Sequence, residues 1–414
     1  MNELIEFLLT LNRLQETLGH PCYFVGGCVR DALLNIGALD LDLAVDGPVG
    51  VFSKALGGAS LSQYETARFT IGNCHAGCHH VDMASFRSDT YENASGLPQV
   101  DKADWDADLA RRDFTVNTAY VPLNERTIDV IVRGKQLSLS DVVKAHPLFE
   151  KDLSQRLIRA LKEHTFDEDP SRMLRAIKYK VTLGFSIEKH TAEWMNRCDK
   201  HALMEAFSDS RFKRILHDYC HHDLGYETIT ELAKEELLKN HLNADSISER
   251  MHIQLLESTE RVKVHYGKVV PGIVALLALY KNRLTYWFDS NKAESLPAKG
   301  LNKLLAQFEA GDDYNDMELY RRFNGLEPEA MAVCLSKDLI GEKIHTAAEH
   351  YFSVLKDIKL MLNGRDVMAL GFDDGPVIGA ILADLLAHQV ENHLNLSKEE
   401  EIKWIASKMN AYRY

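Results

Sequence analysis

Asp40-Leu41-Asp42-Leu43-Ala44-Val45 sets acidic and aliphatic residues in alternation, the pattern of a strand with one polar and one buried face. Side chains two apart on a strand project to the same side, so Asp40 and Asp42 share a face. Two ionised carboxylates side by side repel each other, a poor arrangement for stability alone. A pair of Mg2+ ions removes that repulsion. It also supplies what in-line phosphoryl chemistry needs, an activated attacking hydroxyl and a stabilised leaving phosphate. Taken alone, the same pair also reads as a solvated strand end.

Upstream lies Phe24-Val25-Gly26-Gly27-Cys28-Val29-Arg30-Asp31, a strand that stops at a double glycine before a helix opening with Arg and Asp. Gly26 and Gly27 lack Cβ atoms, so their backbone N–H groups can approach a phosphate, and Arg30 adds positive potential. Downstream, His80-Val81-Asp82-Met83-Ala84 places a third acid, Asp82, in another strand. Asp108-Leu109-Ala110-Arg111-Arg112-Asp113-Phe114-Thr115-Val116-Asn117 follows, with two adjacent arginines, an acid and an amide suited to triphosphate and ribose. As a free-standing motif it equally fits a salt-bridged helix end.

The last motif is Glu168-Asp169-Pro170-Ser171-Arg172-Met173-Leu174-Arg175-Ala176. Asp169 suits an N-cap, Pro170 the first helical position and Gly184 the stop. Met173, Leu174, Ile177 and Val181 form a buried face, and Arg172 and Arg175 project elsewhere. By itself this is an ordinary capped surface helix.

The 414 residues exceed what one core usually organises and predict two to four domains. With 45% hydrophobic and 26% charged residues, the composition is that of a globular protein. No apolar run nears the roughly 18 residues of a membrane-spanning helix. Met1 to Leu14 carries Glu3 and Glu6, with leucines at helical spacing, and reads as an amphipathic helix rather than a targeting peptide. Seven scattered cysteines suit a reducing, cytoplasmic setting. A net charge of −13 argues against coating nucleic acid with the whole surface but permits a local basic groove.

Strand-like runs at Cys22–Val25, Leu41–Val45, Arg68–Asn73, His80–Phe86 and Thr127–Val132 alternate with helical stretches at Val29–Asn35 and Trp105–Arg111. From about Asp152 onward apolar residues recur at helical spacing. Polar stretches at Asp289–Lys299 and Gly311–Asp316 read as loops. The expected molecule is a small α/β head followed by a long helical remainder.

In this order the four motifs resemble the class II tRNA nucleotidyltransferases, CCA-adding enzymes with their CC-adding and A-adding relatives, and the related bacterial poly(A) polymerases. The matching segments are Val25–Asp31, Asp40–Val45, Arg111–Asn117 and Glu168–Ile187, with Phe86–Pro98 as a weaker link. The resemblance implies an α+β protein: a polymerase-β-like nucleotidyltransferase head with a small mixed sheet over residues 1–150, then an all-helical neck, body and tail. The neck, 151–210, would read the nucleotide base. The body would span 211–330, and the tail, 331–414, would bind tRNA.

By the same resemblance, Asp40 and Asp42 are catalytic and hold two Mg2+ ions, with Asp82 as a further candidate ligand. Gly26, Gly27 and Arg30 hold the triphosphate. Arg111, Arg112, Asp113, Asn117 and Arg175 complete the nucleotide site, and Asp169 with Arg172 reads the base. The substrates would be CTP, ATP and the tRNA acceptor end. That last reading has a rationale in donor and acceptor order. Cytosine and adenine both present an amino donor beside a ring-nitrogen acceptor, which an Asp–Arg pair matches; uracil and guanine reverse the order.

Two departures from the family pattern stand out: Thr118 where alanine commonly follows the Asn, and a longer link over Lys135–Lys151 before Asp152-Leu153. Cys74-His75-Ala76-Gly77-Cys78-His79-His80 concentrates metal-binding residue types, but a tight hairpin resists tetrahedral convergence, so a hairpin is expected. His217-Asp218 and His222-Asp223 suggest a phosphohydrolase signature, although their spacing is that of a helical face. Lys263, Lys268, Lys281 and Arg283, separated by Tyr266, Tyr280 and Tyr286, are candidate RNA-facing cations. The competing functions are poly(A) polymerase, a small-molecule nucleotidyltransferase and a catalytically silent RNA-binding protein. Mixed charge over Leu396–Tyr414 favours tRNA over the first, the Glu168–Arg175 helix disfavours the second, and intact aspartates disfavour the third.

Overall fold

The computed structural model describes residues 2–37, 41–57, 60–61, 66–73, 77–91, 99–238, 248–280, 292–308, 314–372 and 375–412. It divides into two compact units, Met1–Arg214 with Glu235–His241, and Ile215–Lys234 with Leu242–Tyr414. Among the described residues no helix is long and apolar enough to cross a membrane.

The first unit is built on strands β1 (Cys22–Val25), β2 (Leu41–Val45), β3 (Ser60–Leu61), β4 (Thr66–Asn73), β5 (Gly77–Ser85), β6 (Arg87–Thr90), β7 (Gln99–Lys102) and β8 (Tyr120–Pro122). Six of them form a mixed sheet in the order β3-β4-β5-β2-β1-β8, and β6 pairs with β7 separately. Only the β2–β5 pairing in the larger sheet is parallel, and it sets Asp42 directly beside Asp82. In β2, Leu41 and Leu43 are buried and Asp42 is exposed, as the alternation requires. Helix Asn2–Leu18 contributes buried Leu4, Leu8 and Leu11 to this unit. The expected hairpin is present, with Asn73 paired to Gly77, and Cys74 and His75 lie outside the described residues.

The run Thr127–Val132, expected as a strand, is instead part of a helix, Glu125–Val132. A capping box overrides its β-branched composition: Asn124 accepts the Thr127 N–H, and the Thr127 hydroxyl accepts the Asn124 N–H. Thr127, Ile128, Ile131 and Val132 then fall on one buried face. Thr118 also gains a reason. It is fully buried, donates to the Thr115 carbonyl and accepts the His146 N–H, fastening the long link against the head. A hydroxyl performs this where alanine could not.

Beyond that link, two-residue strands β9 (Leu157–Ile158) and β10 (Ser186–Ile187) pair in parallel, the one interruption by strands of the helical remainder among the described residues. Helix Ser171–Thr182 buries Met173, Leu174 and Ile177, with Val181 half-buried, and stops before Gly184 at φ +64°. Its cap differs from expectation. Pro170 occupies the N-cap, and Asp169, one residue earlier, accepts the Ser171 N–H.

The second unit is helical. Of Asp289–Lys299, expected as a loop, residues 289–291 lie outside the described residues and the rest belongs to helix Lys292–Phe308, whose buried Ala298, Leu301, Leu304 and Phe308 carry the apolar stripe past the polar composition. Of Gly311–Asp316, residues 311–313 lie outside the described residues, and Asp316 opens helix Asp316–Phe323. A terminal core gathers Leu362, Val367, Phe372, Ile378, Ile381, Leu385 and Ile405.

Beside that core Glu401 is fully buried and accepts from Met361 N–H, Leu362 N–H and the Gln389 amide. Each buried donor left unsatisfied costs about 1–3 kcal/mol. Glu401→Ala is therefore expected to lower the Tm of the second unit by several degrees in calorimetry, and an unchanged transition would remove this anchor.

Candidate active site

The first three motifs meet at the turn after β1. Gly26 has φ +71°, a conformation glycine adopts without strain. A Cβ at Gly26 would lie 3.5 Å from Asp42 Oδ2 and 3.8 Å from Arg112 Nη1. The glycine thus holds open the space between the exposed carboxylate of β2 and a guanidinium from the third motif. Gly27 follows as the first residue of helix Gly27–Leu33. Asp40 lies outside the described residues.

Asp82 stands next to Asp42 in register, but both its oxygens receive a forked pair from Arg68, each at 2.7 Å. That ion pair relieves the repulsion between neighbouring carboxylates and turns Asp82 toward Arg68. The donor set at this place, carboxylate oxygens beside a turn without Cβ, suits a hard divalent cation.

Arg30 is only 4% exposed. Its Nε donates to Asp31 at 2.8 Å and its Nη1 to Asn117 Oδ1 at 2.7 Å, while the Tyr179 ring lies 4.7 Å from the guanidinium carbon. The Asn117 amide in turn donates to Asp113 Oδ1 at 3.0 Å. Asp113 Oδ2 meets Arg175 at 2.7 Å, and Arg175 donates to the Tyr179 hydroxyl at 3.1 Å. The circuit closes on itself. Burial alone would raise the Asp113 pKa, but Arg175, the Asn117 amide, Arg172 and the Phe114 N–H outweigh it and hold the carboxyl below its usual range.

Arg111 and Arg112 share one buried counter-ion, Asp108, at 2.8 and 2.9 Å. Tyr120 donates its hydroxyl to the same carboxylate at 2.5 Å and stacks beneath Arg112 at 4.7 Å. Burial of Asp108 is again outweighed, here by Arg112, Arg111 and the Tyr120 hydroxyl, so its pKa lies below the usual range. Arg172 donates to Thr165 Oγ1 at 2.5 Å and to the Arg111 carbonyl at 2.8 Å, joining the last motif to the third. Asp169 and Arg172 take different side-chain partners: Asp169 binds Arg211 at 2.8 Å and the Ser171 hydroxyl at 2.6 Å.

The structure therefore brings Gly26, Asp42, Arg112, Asp113, Asn117, Arg30 and Arg175 into one connected region, with Arg111 and Arg172 bound to its edge. Sequence reasoning passed over Asp108, Tyr179 and Arg211. Asp108 was signalled by its spacing of three and four from the two arginines on a helix. Tyr179 lies four residues after Arg175 on one helix, but neither its stacking on Arg30 nor the Arg211 contact carries a local signal.

Other candidates lie apart. Lys263, Lys268 and Tyr266 are exposed in the second unit; the side chain of Tyr280, and Lys281, Arg283 and Tyr286, are outside what the structure describes. His217 and Asp218 lie on helix Asp209–Cys220, but His222 and Asp223 fall in the turn after it, so the two pairs do not share one helical face.

Residues 22–143 match the poly A polymerase head domain. Over 96% of its length the chain is 25% identical to the A-adding tRNA nucleotidyltransferase of Geobacter sulfurreducens, of which it spans 46%. It is 23% identical to the A-adding enzyme of Halalkalibacterium halodurans and 26% identical to the CCA-adding enzyme of Limosilactobacillus fermentum. These alignments cover 94% and 93% of this chain and 88% and 92% of the relatives. Among solved structures, a CCA-adding enzyme in an apo form superposes with a TM-score of 0.68 at 20% identity, covering 98% of this chain and 95% of the other. The Thermotoga maritima CCA-adding enzyme complexed with tRNA gives 0.61 at 19% identity, with 98% and 95% covered. These structural likenesses establish the fold.

Two depressed carboxyls fix the sign of an acid dependence. A carboxylate with a lowered folded pKa stabilises fully above its unfolded value, near 3.9, and that stability is lost as pH falls through the folded value. The urea midpoint of the first unit should thus decline below about pH 4. Asp113→Asn should lower the midpoint at neutral pH and flatten the acid decline; an equally steep decline would place the linkage elsewhere.

Proposed function

We propose that the chain is a tRNA nucleotidyltransferase of the kind its relatives are named for, and that it adds C, A or both to the 3′ end of tRNA, with CTP or ATP as donor. The observation that carries this reading is the convergence of the Gly26 turn, Asp42 and Arg112 within one small space. In the reaction the terminal 3′-hydroxyl oxygen forms a bond to the α-phosphorus. The bond to the bridging oxygen breaks, pyrophosphate leaves with the electron pair, and the hydroxyl proton is released.

Asp42, with Asp40, would hold Mg2+, which when bound neutralises phosphate charge and favours ionisation of the attacking hydroxyl. Asp82, engaged by Arg68, is the weaker ligand candidate. The Gly26–Gly27 turn admits the triphosphate, and Arg112 supplies a fixed positive group beside it. Arg30 is buried, so its part is to hold Asn117 and Tyr179 in place as much as to attract phosphate. In our reading residues 1–150 form the catalytic head, 151–210 the base-reading neck, 211–330 the body and 331–414 the tRNA-binding tail.

The decisive assay offers labelled CTP or ATP separately to tRNAs ending at the discriminator base, at C or at CC. Extension of at least one of these supports the proposal and tells CC-, A- and CCA-addition apart. Extension of unstructured RNA by ATP, with none of these tRNAs extended, would assign poly(A) polymerase activity instead.

Asp42→Asn keeps shape and removes one charge. Transfer should fall by two or more orders of magnitude, the scale of losing one electrostatic stabiliser, while nucleotide binding survives. Near-normal turnover in Mg2+ would displace the metal site from Asp42.

Base selection gives a separate test. Asp169→Ala removes an acceptor that meets the carbonyl of UTP or GTP unfavourably, so discrimination against them should relax. Arg172→Ala should impair CTP and ATP use together. If Asp169→Ala only lowers stability and keeps nucleotide choice, its bond to Ser171 N–H is a cap and the reader lies elsewhere.

A further inference from the structure

In the second unit three side chains from separate helical segments turn toward one point. Asp316 opens helix Asp316–Phe323, and His350 closes helix Glu342–His350. His393 follows helix Gly375–Glu391. His350 Nε2 lies 2.8 Å from Asp316 Oδ1, and His393 Nε2 lies 2.5 Å from Asp316 Oδ2. One potential ligand atom from each residue falls within 4.8 Å of the other two, the one such group among the described residues.

We propose that Asp316, His350 and His393 form a binding site for a divalent transition-metal ion of the Zn2+ class. Two imidazole nitrogens and one carboxylate oxygen are a donor set that such ions prefer over Mg2+ or Ca2+. Zinc bonds of about 2.0–2.1 Å in a tetrahedron set ligand atoms roughly 3.3 Å apart, within reach of the present spacing. The two rings are splayed at 68°, with centroids 5.9 Å apart, so each directs Nε2 at the carboxylate instead of stacking on the other.

Three further features fit ligation. Asp316 is spared from capping its helix, because Asn315 and Glu318 close a capping box there. Its partners among the described residues are the two imidazoles, with no lysine or arginine competing for the carboxylate. Directly after His350 the chain widens into a π-turn, Tyr351–Leu355, an irregularity that often accompanies ligand sites. Three protein ligands leave a fourth position for water or another small donor. The bound ion would tie together three segments far apart in sequence.

A plain hydrogen-bonded His–Asp–His cluster makes the opposite forecast for one substitution. His393 sits at φ +51°, which asparagine tolerates, while the shorter asparagine amide falls short of the position of His393 Nε2. His393→Asn therefore removes a metal ligand without adding backbone strain, and a cluster held by hydrogen bonds alone forecasts no change in Zn2+ affinity. Chelator-stripped full-length protein is titrated with Zn2+ against a chromophoric chelator, alongside His393→Asn and Cys78→Ser, the latter controlling for the head hairpin.

Wild type and Cys78→Ser should each bind one tight equivalent. His393→Asn should lose more affinity than the roughly 10–100-fold that follows loss of an outer-shell partner. Added Zn2+ should raise the Tm of wild type but not of His393→Asn. Equal Zn2+ affinity in wild type and His393→Asn, or loss of the tight equivalent in Cys78→Ser, would overturn the site. Should His393→Asn not fold, Co2+ added to stripped wild type decides. Intense visible bands of a low-coordinate ion support the site, and the weak spectrum of the hexaaqua ion overturns it.

Discussion

A closed circuit of charge, Arg30–Asn117–Asp113–Arg175–Tyr179, with Arg30, Asn117 and Asp113 buried and Arg175 at its exposed rim, is the constraint on which the candidate site depends. Its members come from the first motif, the third motif and the neck helix, and the Arg30–Asn117 bond alone spans 87 positions. Arg30 and Arg175 are balanced by Asp31 and Asp113, so the cluster is neutral as a unit. Removing Arg175 leaves the buried Asp113 carboxylate uncompensated in a poorly solvated place, which is far costlier than losing a surface ion pair. The circuit thus fixes how the neck helix meets the head, and with it where Arg172 can reach.

A second neutralising arrangement serves the arginines themselves. Arg111 and Arg112 repel each other unless a common anion lies between them, and Asp108 is that anion. With its burial and the Tyr120 hydroxyl, this holds Arg112 at the edge of the Gly26 turn. Preorganisation of this kind means that a polyphosphate meets a positive group already oriented, with little reorganisation at the moment of reaction.

Much of the head was legible because its signals are local. A strand, a glycine turn and a helix, then an alternating strand, can each be read within a few residues, and β1, β2 and helix Gly27–Leu33 lie where those patterns put them. Thr127–Val132 was not legible in that way, since a capping box decided the conformation against residue preference. Nor was Arg211, which binds Asp169 from 42 positions away, or Tyr179, whose stacking on Arg30 has no counterpart in spacing. Local rules fail where the deciding partner arrives through the fold.

The Arg211 contact bears on how a base could be chosen. In this structure the Asp169 carboxylate faces a guanidinium and a hydroxyl, so on the proposed reading an incoming base would exchange one of those contacts for its own amino group. A hydrogen bond to a charged group contributes about 1.5–3 kcal/mol, and the exchange is near neutral only when the newcomer returns a donor of good geometry. Cytosine and adenine have that donor beside an acceptor for Arg172; uracil and guanine bring a carbonyl to the carboxylate. On the proposed reading, the resting ion pair therefore sharpens selection: a mismatched base must displace Arg211 and returns no donor to Asp169 in its place.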